Sequence, residues 1–391
     1  METLRTRDKQ FDGSIVPGLP DDLAHLCLAF VPLCHHGRLK VVCKSWHAAL
    51  SSKILLNIRN RWKKAEEFLC IFRDDPSVAG GEIFDPRNKA WALLPLMPCD
   101  LSTYGLSNFC CVAVGAEVFV IGGSLFDARN YPLDKPLASS AVFKCDIFCG
   151  SWKQLSDMTV PRGSFACAVS DDFLIVAGGS SRHITLPSEG DGVSTVEIYD
   201  MKRNEWHFQE GLKTIRAGCV GFLYNEEFWV IGGYGGSRTI AGVLPADEHY
   251  RDGEILNLRS GEWRYLQPMW KEGERRKLGQ VAIIEKDESF GIFMLEGSII
   301  FRYNFSANVW IRESVLPRKV FVKASSRMVA LDGELFVYSE EQYLDPYSTG
   351  RPSLLFQVYA PKKKSWRFVS TQPVLYHSPR HPWTATCTIR L

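Results

Sequence analysis

Nine histidines and twelve cysteines are the side chains in this 391-residue sequence that would hold a metal or supply a nucleophile. Copper needs two or three imidazoles brought into one site. His377 and His381 are near neighbours, and His183 and His249 fall in loop-like stretches, but no paired-histidine motif accompanies them. They read as exposed loop residues. Cys34, His35, His36 and Cys43 include zinc-type donors, at a spacing that matches no standard zinc site. Cys145 and Cys149 flank a hairpin and would bridge only in an oxidising compartment. No phosphate-binding loop, nucleophile elbow or Cys/His dyad is apparent. The expectation is a chain without catalytic residues, metal or cofactor.

The guanidinium groups offer a different chemistry. Arg162, Arg216, Arg275, Arg276, Arg318, Lys319 and Arg380 stand at the openings of successive sequence units. If they project to one rim, they make a basic face on a nearly neutral protein, which has 46 Lys plus Arg against 44 Asp plus Glu. Such a face would select an acidic or phosphorylated segment through bidentate contacts. The competing reading is that each arginine belongs to the repeat itself and bonds loop carbonyls between units.

Those units are defined by tryptophan. Trp91, Trp152, Trp206, Trp263, Trp310 and Trp366 each follow by six residues a turn-type position, usually Asp or Asn, itself usually preceded by an aromatic, as in Tyr199-Asp200. The intervals between them are 61, 54, 57, 47 and 56 residues, a period of the kind that marks propellers and similar arrays. Ahead of three of them, the apolar runs 118–121, 173–177 and 228–231 end in Gly122-Gly123, Gly178-Gly179 and Gly232-Gly233. These runs have the length and β-branched content of buried strands, and the glycines let the backbone turn away. Small-residue strands precede them at 110–115, 164–170 and 218–223, and polar-tipped hairpins such as 196–208 follow. Each unit therefore predicts four antiparallel strands. Three units, with strands at 70–73, 293–297 and 336–340, keep the Trp hairpin and lack the doublet. The tryptophans are expected to be scaffold.

The combination of Gly-Gly doublet, aromatic and turn, Trp six residues on and Arg opening the next unit resembles the kelch repeat, from about residue 67 to 391. The resemblance implies a mainly β fold, a six-bladed β-propeller. The first copy lacks an opening strand, and the strand-like tail 383–391 is expected to supply it, removing exposed sheet edges. In kelch propellers the loops after the doublet open around the central channel. Here they are long, 124–140, 180–193, 234–253 and 339–353, a length that is usually functional or disordered.

A different pattern precedes the repeat. Leu19-Pro20-Asp21-Asp22-Leu23 opens a helix, with Pro20 pre-set in φ and two carboxylates at the positive end of the dipole. Pro32 and Gly37 are expected to break it. In a second helix Leu39, Val42, Cys43, Trp46, Ala49 and Leu50 recur on one apolar face. About 40 residues is near or below the limit for independent folding, so some of this apolar surface should meet a partner. Leu19-Pro20-Asp21-Asp22-Leu23 and Val42-Cys43-Lys44-Ser45-Trp46, in that order and at that distance, resemble an F-box, although the middle, 34–37, is more polar than usual. The resemblance implies docking on a Skp-type adaptor, and through it a cullin, by Leu19, Pro20, Leu23, Leu39, Val42, Cys43 and Trp46. The competing reading is a helical hairpin packed on the repeats.

The expected organisation is a flexible tail 1–14, the F-box 15–52, a linker helix 53–66 with Leu55, Ile58, Trp62 and Ala65 on its apolar face and Arg59 among its solvated charges, and the propeller 67–391. No stretch of 18 apolar residues suggests a membrane span, the start of the chain is charged rather than apolar, and near-neutral charge argues against nucleic acid. Cysteines set in apolar runs read as reduced thiols of a cytoplasmic or nuclear protein. The function expected is substrate recognition in an SCF-type (Skp, cullin, F-box) ubiquitin ligase. The rivals are a non-degradative scaffold that binds the adaptor and, through a resemblance between kelch arrays and copper oxidases, an oxidase.

Overall fold

In the computed structural model the described residues are 14–73, 81–98, 104–127, 137–148, 150–180, 192–235, 238–240, 244–246, 249–270, 278–286, 289–318, 326–339, 354–373 and 384–391. The chain separates into a helical unit, 1–66 with Arg390–Leu391, and a sheet unit, Glu67–Ile389.

The helical unit contains α1 (Asp21–Ala29), α2 (His36–Lys40), α3 (Lys44–Leu50) and α4 (Lys53–Arg61). Pro20 precedes α1 with φ −54° and ψ 140°, and Asp21 turns its carboxylate back to accept from the backbone N–H of Ile15 at 2.9 Å. The single second helix expected from the 39–50 spacing is instead two. The Cys43 sulfur accepts from Trp46 N at 3.4 Å and starts α3, leaving Val41 and Val42 in the break, while Gly37 lies inside α2. Ile15, Ala24, Leu28, Ala29, Ala49, Leu50 and Leu55 form the core, with Leu19, Leu39, Trp46 and Ile58 packed around it.

Arg59 is a second correction. It is not a solvated charge but 2% exposed. Its guanidinium donates to the carbonyls of Ala29 (2.8 Å), Val31 (2.9 Å) and Lys64 (2.7 Å) and pairs with Glu66 at 3.1 Å. Those carbonyls belong to chain ends and turns that no helix ladder satisfies, which is why a planar multi-donor group is buried there. His36 Nε2 donates to Val31 O at 3.0 Å. Burial, ahead of the opposing effect of that hydrogen bond, lowers the His36 pKa. The folded pKa lies below the unfolded one, so His36 contributes stability above about pH 6.5 that is lost as pH falls toward the folded value. Thermal melts of the wild type should lose stability between pH 7 and pH 5, and His36→Gln should flatten that slope.

The sheet unit contains six four-stranded sheets among the described residues. Sheet I is ordered Thr384–Arg390, Glu67–Arg73, Gly81–Asp85, Ala90–Leu93, so the last strand of the chain lies beside the first. Sheet II comprises Cys110–Val114, Glu117–Ile121, Val142–Asp146 and Ser151–Gln154, and sheet III comprises Ala166–Val169, Phe173–Ala177, Val196–Asp200 and Glu205–Gln209. Sheet IV comprises Val220–Tyr224, Glu227–Ile231, Gly253–Asn257 and Trp263–Leu266. Sheet V runs from Gln280–Lys286 through Ser289–Glu296 and Ile299–Asn304 to Val309–Val315. Sheet VI runs from Ser326–Leu331 through Glu334–Ser339 and Leu354–Ala360 to Ser365–Thr371. Within the third and fourth strands the aromatic before the turn and the Trp face each other in register, as in Tyr199 opposite Trp206 and Tyr359 opposite Trp366.

Two of the stretches expected to be structureless loops carry strands of their own. Ser124–Asp127 pairs with Tyr104–Ser107 and Leu137–Ala138, and Arg238–Ile240 pairs with Leu244–Ala246. Most of 180–193 and 339–353 lies outside the described residues.

Apolar clusters join sheets II to III, III to IV, IV to V, V to VI and VI to I. Sheet II meets sheet I through the edge contacts of Phe72 with Phe109 and Trp152. The doublets explain how sheets approach. Gly178 has φ +68°, and a Cβ there would lie 2.4 Å from Arg216 O, while the N–H of Gly179 donates to that same carbonyl at 2.7 Å.

Five of the six repeat tryptophans bind backward, Trp310 being the exception. Trp152 Nε1 donates to Pro95 O, Trp206 to Ser156 O, Trp263 to Glu210 O and Trp366 to Ser314 Oγ, each reaching the end of the preceding sheet. Trp91 of sheet I donates to Thr371 Oγ1, in the last strand of sheet VI, at 2.7 Å. Trp206 is half-buried, so Trp206→Ala removes one inter-sheet hydrogen bond and a partial cavity's worth of packing. A loss of about 3 kcal/mol, at the low end for aromatic truncations, is expected by denaturant melting.

Candidate functional site

Two surfaces were expected to carry function, and the structure treats their residues differently. In the helical unit Pro20 and Cys43 are exposed, Leu23 is 45% exposed and Val42 61% exposed. Leu19, Leu39 and Trp46 are half-buried against the helical core, and Trp46 Nε1 donates to Ile15 O at 2.9 Å. Trp46 therefore holds the N-terminal arm against α3 as well as presenting an edge. The Cys43 sulfur is engaged as the cap of α3. Sequence reasoning missed Val41, at 83% the most exposed of the large apolar side chains, because a continuous helix would have turned it differently from the break observed. Phe30 and Trp62, both apolar in the sequence reading but not among the expected docking residues, have rings 5.9 Å apart with Lys64 over Phe30. Six large apolar side chains among the described residues, Leu23, Phe30, Val41, Val42, Ile54 and Trp62, thus stay exposed on a unit too small to bury them.

The arginine rim requires correction. Arg162 and Arg216 are fully buried and do not project to any rim. Arg162 pairs with Glu197 at 2.5 Å and donates to Gly178 O (3.0 Å) and Thr195 O (2.8 Å). Arg216 pairs with Glu254 at 3.0 Å and Asp252 at 2.8 Å and donates to Gly232 O at 3.1 Å. Each stands four residues before the first strand of its sheet and locks that entry to the doublet and the third strand. Burial is the largest influence on both groups. At Arg162 it outweighs Glu197 and lowers the pKa, whereas at Arg216 Asp252 and Glu254 together overcome it and raise the pKa.

The deciding residue lies two before the aromatic of the turn: Glu197 before Tyr199, Glu254 before Leu256, Gln357 before Tyr359. The Glu carboxylates also accept backbone N–H groups, Thr159 and Val160 at Glu197, Lys213 and Thr214 at Glu254. Gln357 does the same neutrally, accepting from Arg318 N at 2.9 Å and donating to Arg318 O at 3.1 Å. With no carboxylate to meet it, the Arg318 guanidinium lies over the Phe368 ring at 4.9 Å on an exposed residue. Of the expected rim, Arg318 is thus the exposed member among the described residues. Arg275, Arg276, Lys319 and Arg380 lie outside them, as do His183, His377, His381 and Cys149.

A cavity of about 290 Å³ gathers the opening strands of the sheets. Ala385 comes from sheet I, Cys110 from II, Gln280 from V and Arg327 from VI, with Phe165 and Cys219 at the entries to III and IV. A second cavity, about 430 Å³, is lined by 281–285, 328–331, Glu67, Thr386 and Thr388. Arg327, a cation facing the first cavity, carries no repeat signature and was not singled out by sequence.

A family model for the F-box domain matches residues 16–57, and one for the Kelch motif matches 161–212. The chain is 43% identical to the F-box/kelch-repeat protein OR23 of Arabidopsis thaliana, across 97% of this chain and 92% of that relative. It is 27% identical to the Arabidopsis F-box/kelch-repeat protein At1g67480 across 93% of this chain and 88% of the relative. It is 31% identical to the F-box/kelch-repeat protein SKIP30 of the same plant across 56% and 60%. With helices that leave an apolar face in water, six four-stranded sheets carrying the Gly-Gly and Trp pattern, and a relative matched along nearly its full length, this chain belongs to the F-box/kelch-repeat family.

Proposed function

We propose that this protein is the substrate-recognition subunit of an SCF-type ubiquitin ligase. The helical unit docks on a Skp-type adaptor through Leu19, Pro20, Leu23, Leu39, Val42, Cys43 and Trp46, and the adaptor brings a cullin. The observation that carries the reading is the uncovered apolar face of a unit whose sequence matches the F-box domain. Leu23 and Val42 are the contact side chains, and Leu19, Leu39 and Trp46 hold the face in shape. The helix α4 belongs to this unit, packing Leu55 and Ile58 into its core.

The sheet unit is read as a six-bladed propeller that closes with the strand Thr384–Arg390. Two features support the ring. Trp91 makes with sheet VI the kind of bond that Trp152, Trp206, Trp263 and Trp366 make with the sheet before them. One cavity also draws lining residues from all six sheets or their entries. The propeller captures a target protein so that a separate conjugating enzyme reaches its lysines. The chain acts by proximity: tethering raises effective concentration, while bond formation belongs to other subunits. Exposed Arg318, together with Arg327 in the cavity wall, favours an acidic or phosphorylated target segment. The complex operates in the cytoplasm or nucleus.

The test is reconstitution. A protein captured by the isolated chain should be ubiquitinated when adaptor, cullin, RING subunit and conjugating enzyme are added, and not when this chain is omitted. Capture without chain-dependent ubiquitination would make the protein a scaffold instead.

A further inference from the structure

Cys110 and Cys111 are consecutive in a strand, so their side chains leave opposite faces of sheet II. Each meets a thiol of a neighbouring sheet. Cys111 Sγ donates to Cys387 Sγ of sheet I at 3.0 Å, and Cys110 packs in one cluster with Cys167 of sheet III. Cys70 lies on the strand beside that of Cys387, near enough for the two thiols to interact. Cys387 is therefore the centre of three thiols drawn from two sheets, in the strand that comes last in the chain and pairs with the first. Cys70 is sealed from solvent, whereas Cys111 and Cys387 each retain 8% exposure, which leaves a small oxidant a way in.

The separation is suited to bonding. Disulfide sulfurs lie about 2.05 Å apart, so Cys111 and Cys387 need approach by only about 1 Å, the scale of a side-chain rotation. We propose that Cys111 and Cys387 are a peroxide-responsive pair whose disulfide fastens the C-terminal strand of sheet I to sheet II. The Cys387 sulfur attacks one oxygen of the peroxide and the O–O bond breaks. The departing hydroxide takes up a proton to become water, leaving a sulfenic acid on Cys387. The Cys111 sulfur then attacks that sulfur, the S–O bond breaks, and a second water leaves with the Cys111 proton. Two thiols lose two electrons in all, and one peroxide is reduced to two waters. The S–H donors Cys111 and then Cys70, working against burial, lower the pKa of Cys387, which favours the attacking thiolate. The thiols Cys27, Cys34 and Cys43 of the helical unit are exposed.

The disulfide would join positions 276 residues apart, constraining the unfolded chain. Oxidation of the full-length reduced protein with hydrogen peroxide, alkylation of remaining thiols and non-reducing peptide mapping should yield a Cys111–Cys387 linked peptide. Cys110→Ala keeps that link and so assigns it to Cys111, and Cys70→Ser also keeps it. The melting temperature of the oxidised protein should rise by on the order of 5 °C and return with dithiothreitol. Recovery of Cys387 fully alkylated, over-oxidised, or linked only to Cys70 would overturn the proposal. Because the decisive reading is made on the wild type, it stands even if Cys387→Ser, the variant expected to abolish both link and shift, fails to fold.

Discussion

Replacing Arg162 with alanine is expected to destabilise the sheet unit by about 3–5 kcal/mol, because Glu197 is left as a buried carboxylate without its counter-charge. Glu197 is 1% exposed, and backbone N–H groups of Thr159 and Val160 hold it in place, so it has no path to water without breaking the entry to sheet III. Four further hydrogen bonds of Arg162, to Val160 O, Gly178 O, Thr195 O and Thr195 Oγ1, vanish with it. Arg216→Ala should behave similarly through Glu254. Arg318→Ala should stay within about 0.5 kcal/mol, since its guanidinium is exposed and the anchoring of that turn runs through backbone atoms and Gln357. The double change Arg162→Met with Glu197→Leu should cost less than Arg162→Ala, as removing both partners of a buried pair often does. Denaturant unfolding of the four variants gives the comparison. An Arg162→Ala protein with the wild-type midpoint would refute the scaffold assignment and restore this residue to the recognition surface.

That contrast shows what the sequence reveals and what it hides. The Trp hairpins and the Gly-Gly strands are legible because their signals are local: a turn and its aromatic lie within six residues, and a buried strand advertises itself as a short apolar run. The partner of Arg162 is 35 residues away, so an arginine that seals a sheet and one that faces solvent look alike until the residue two before the turn aromatic is inspected. Glu at that position marks a buried arginine in sheets III and IV, and Gln marks an exposed one in sheet VI. The break between α2 and α3 was hidden for another reason. Leu39, Val42, Cys43 and Trp46 keep helical spacing whether or not the helix is continuous, and cysteine is not among the preferred caps. Arg59 was taken for a surface charge because most of its partners are backbone carbonyls, which no sequence pattern records. The residues expected to dock on an adaptor were named as a set, yet the structure divides them into exposed and half-buried side chains.

The second large effect follows from that division. Leu23→Asp with Val42→Asp should leave the melting temperature close to wild type, because both side chains are already in water, and should weaken adaptor binding by about 30-fold or more, as for the loss of a hot spot. Trp46→Ala should lower both, since its indole bonds Ile15 O and packs on the helical core. A variant set in which Trp46→Ala alone weakened binding, with Leu23→Asp/Val42→Asp neutral, would move the docking face elsewhere on the helical unit.

The most direct measurement of the central claim is paired affinity capture with quantitative mass spectrometry, using the wild-type chain and the Leu23→Asp/Val42→Asp variant at equal expression. The account predicts that a Skp-type adaptor and a cullin accompany the wild type and are lost from the variant, while proteins held by the sheet unit are recovered equally from both. Equal adaptor and cullin in the two samples, or their absence from the wild type, would contradict it.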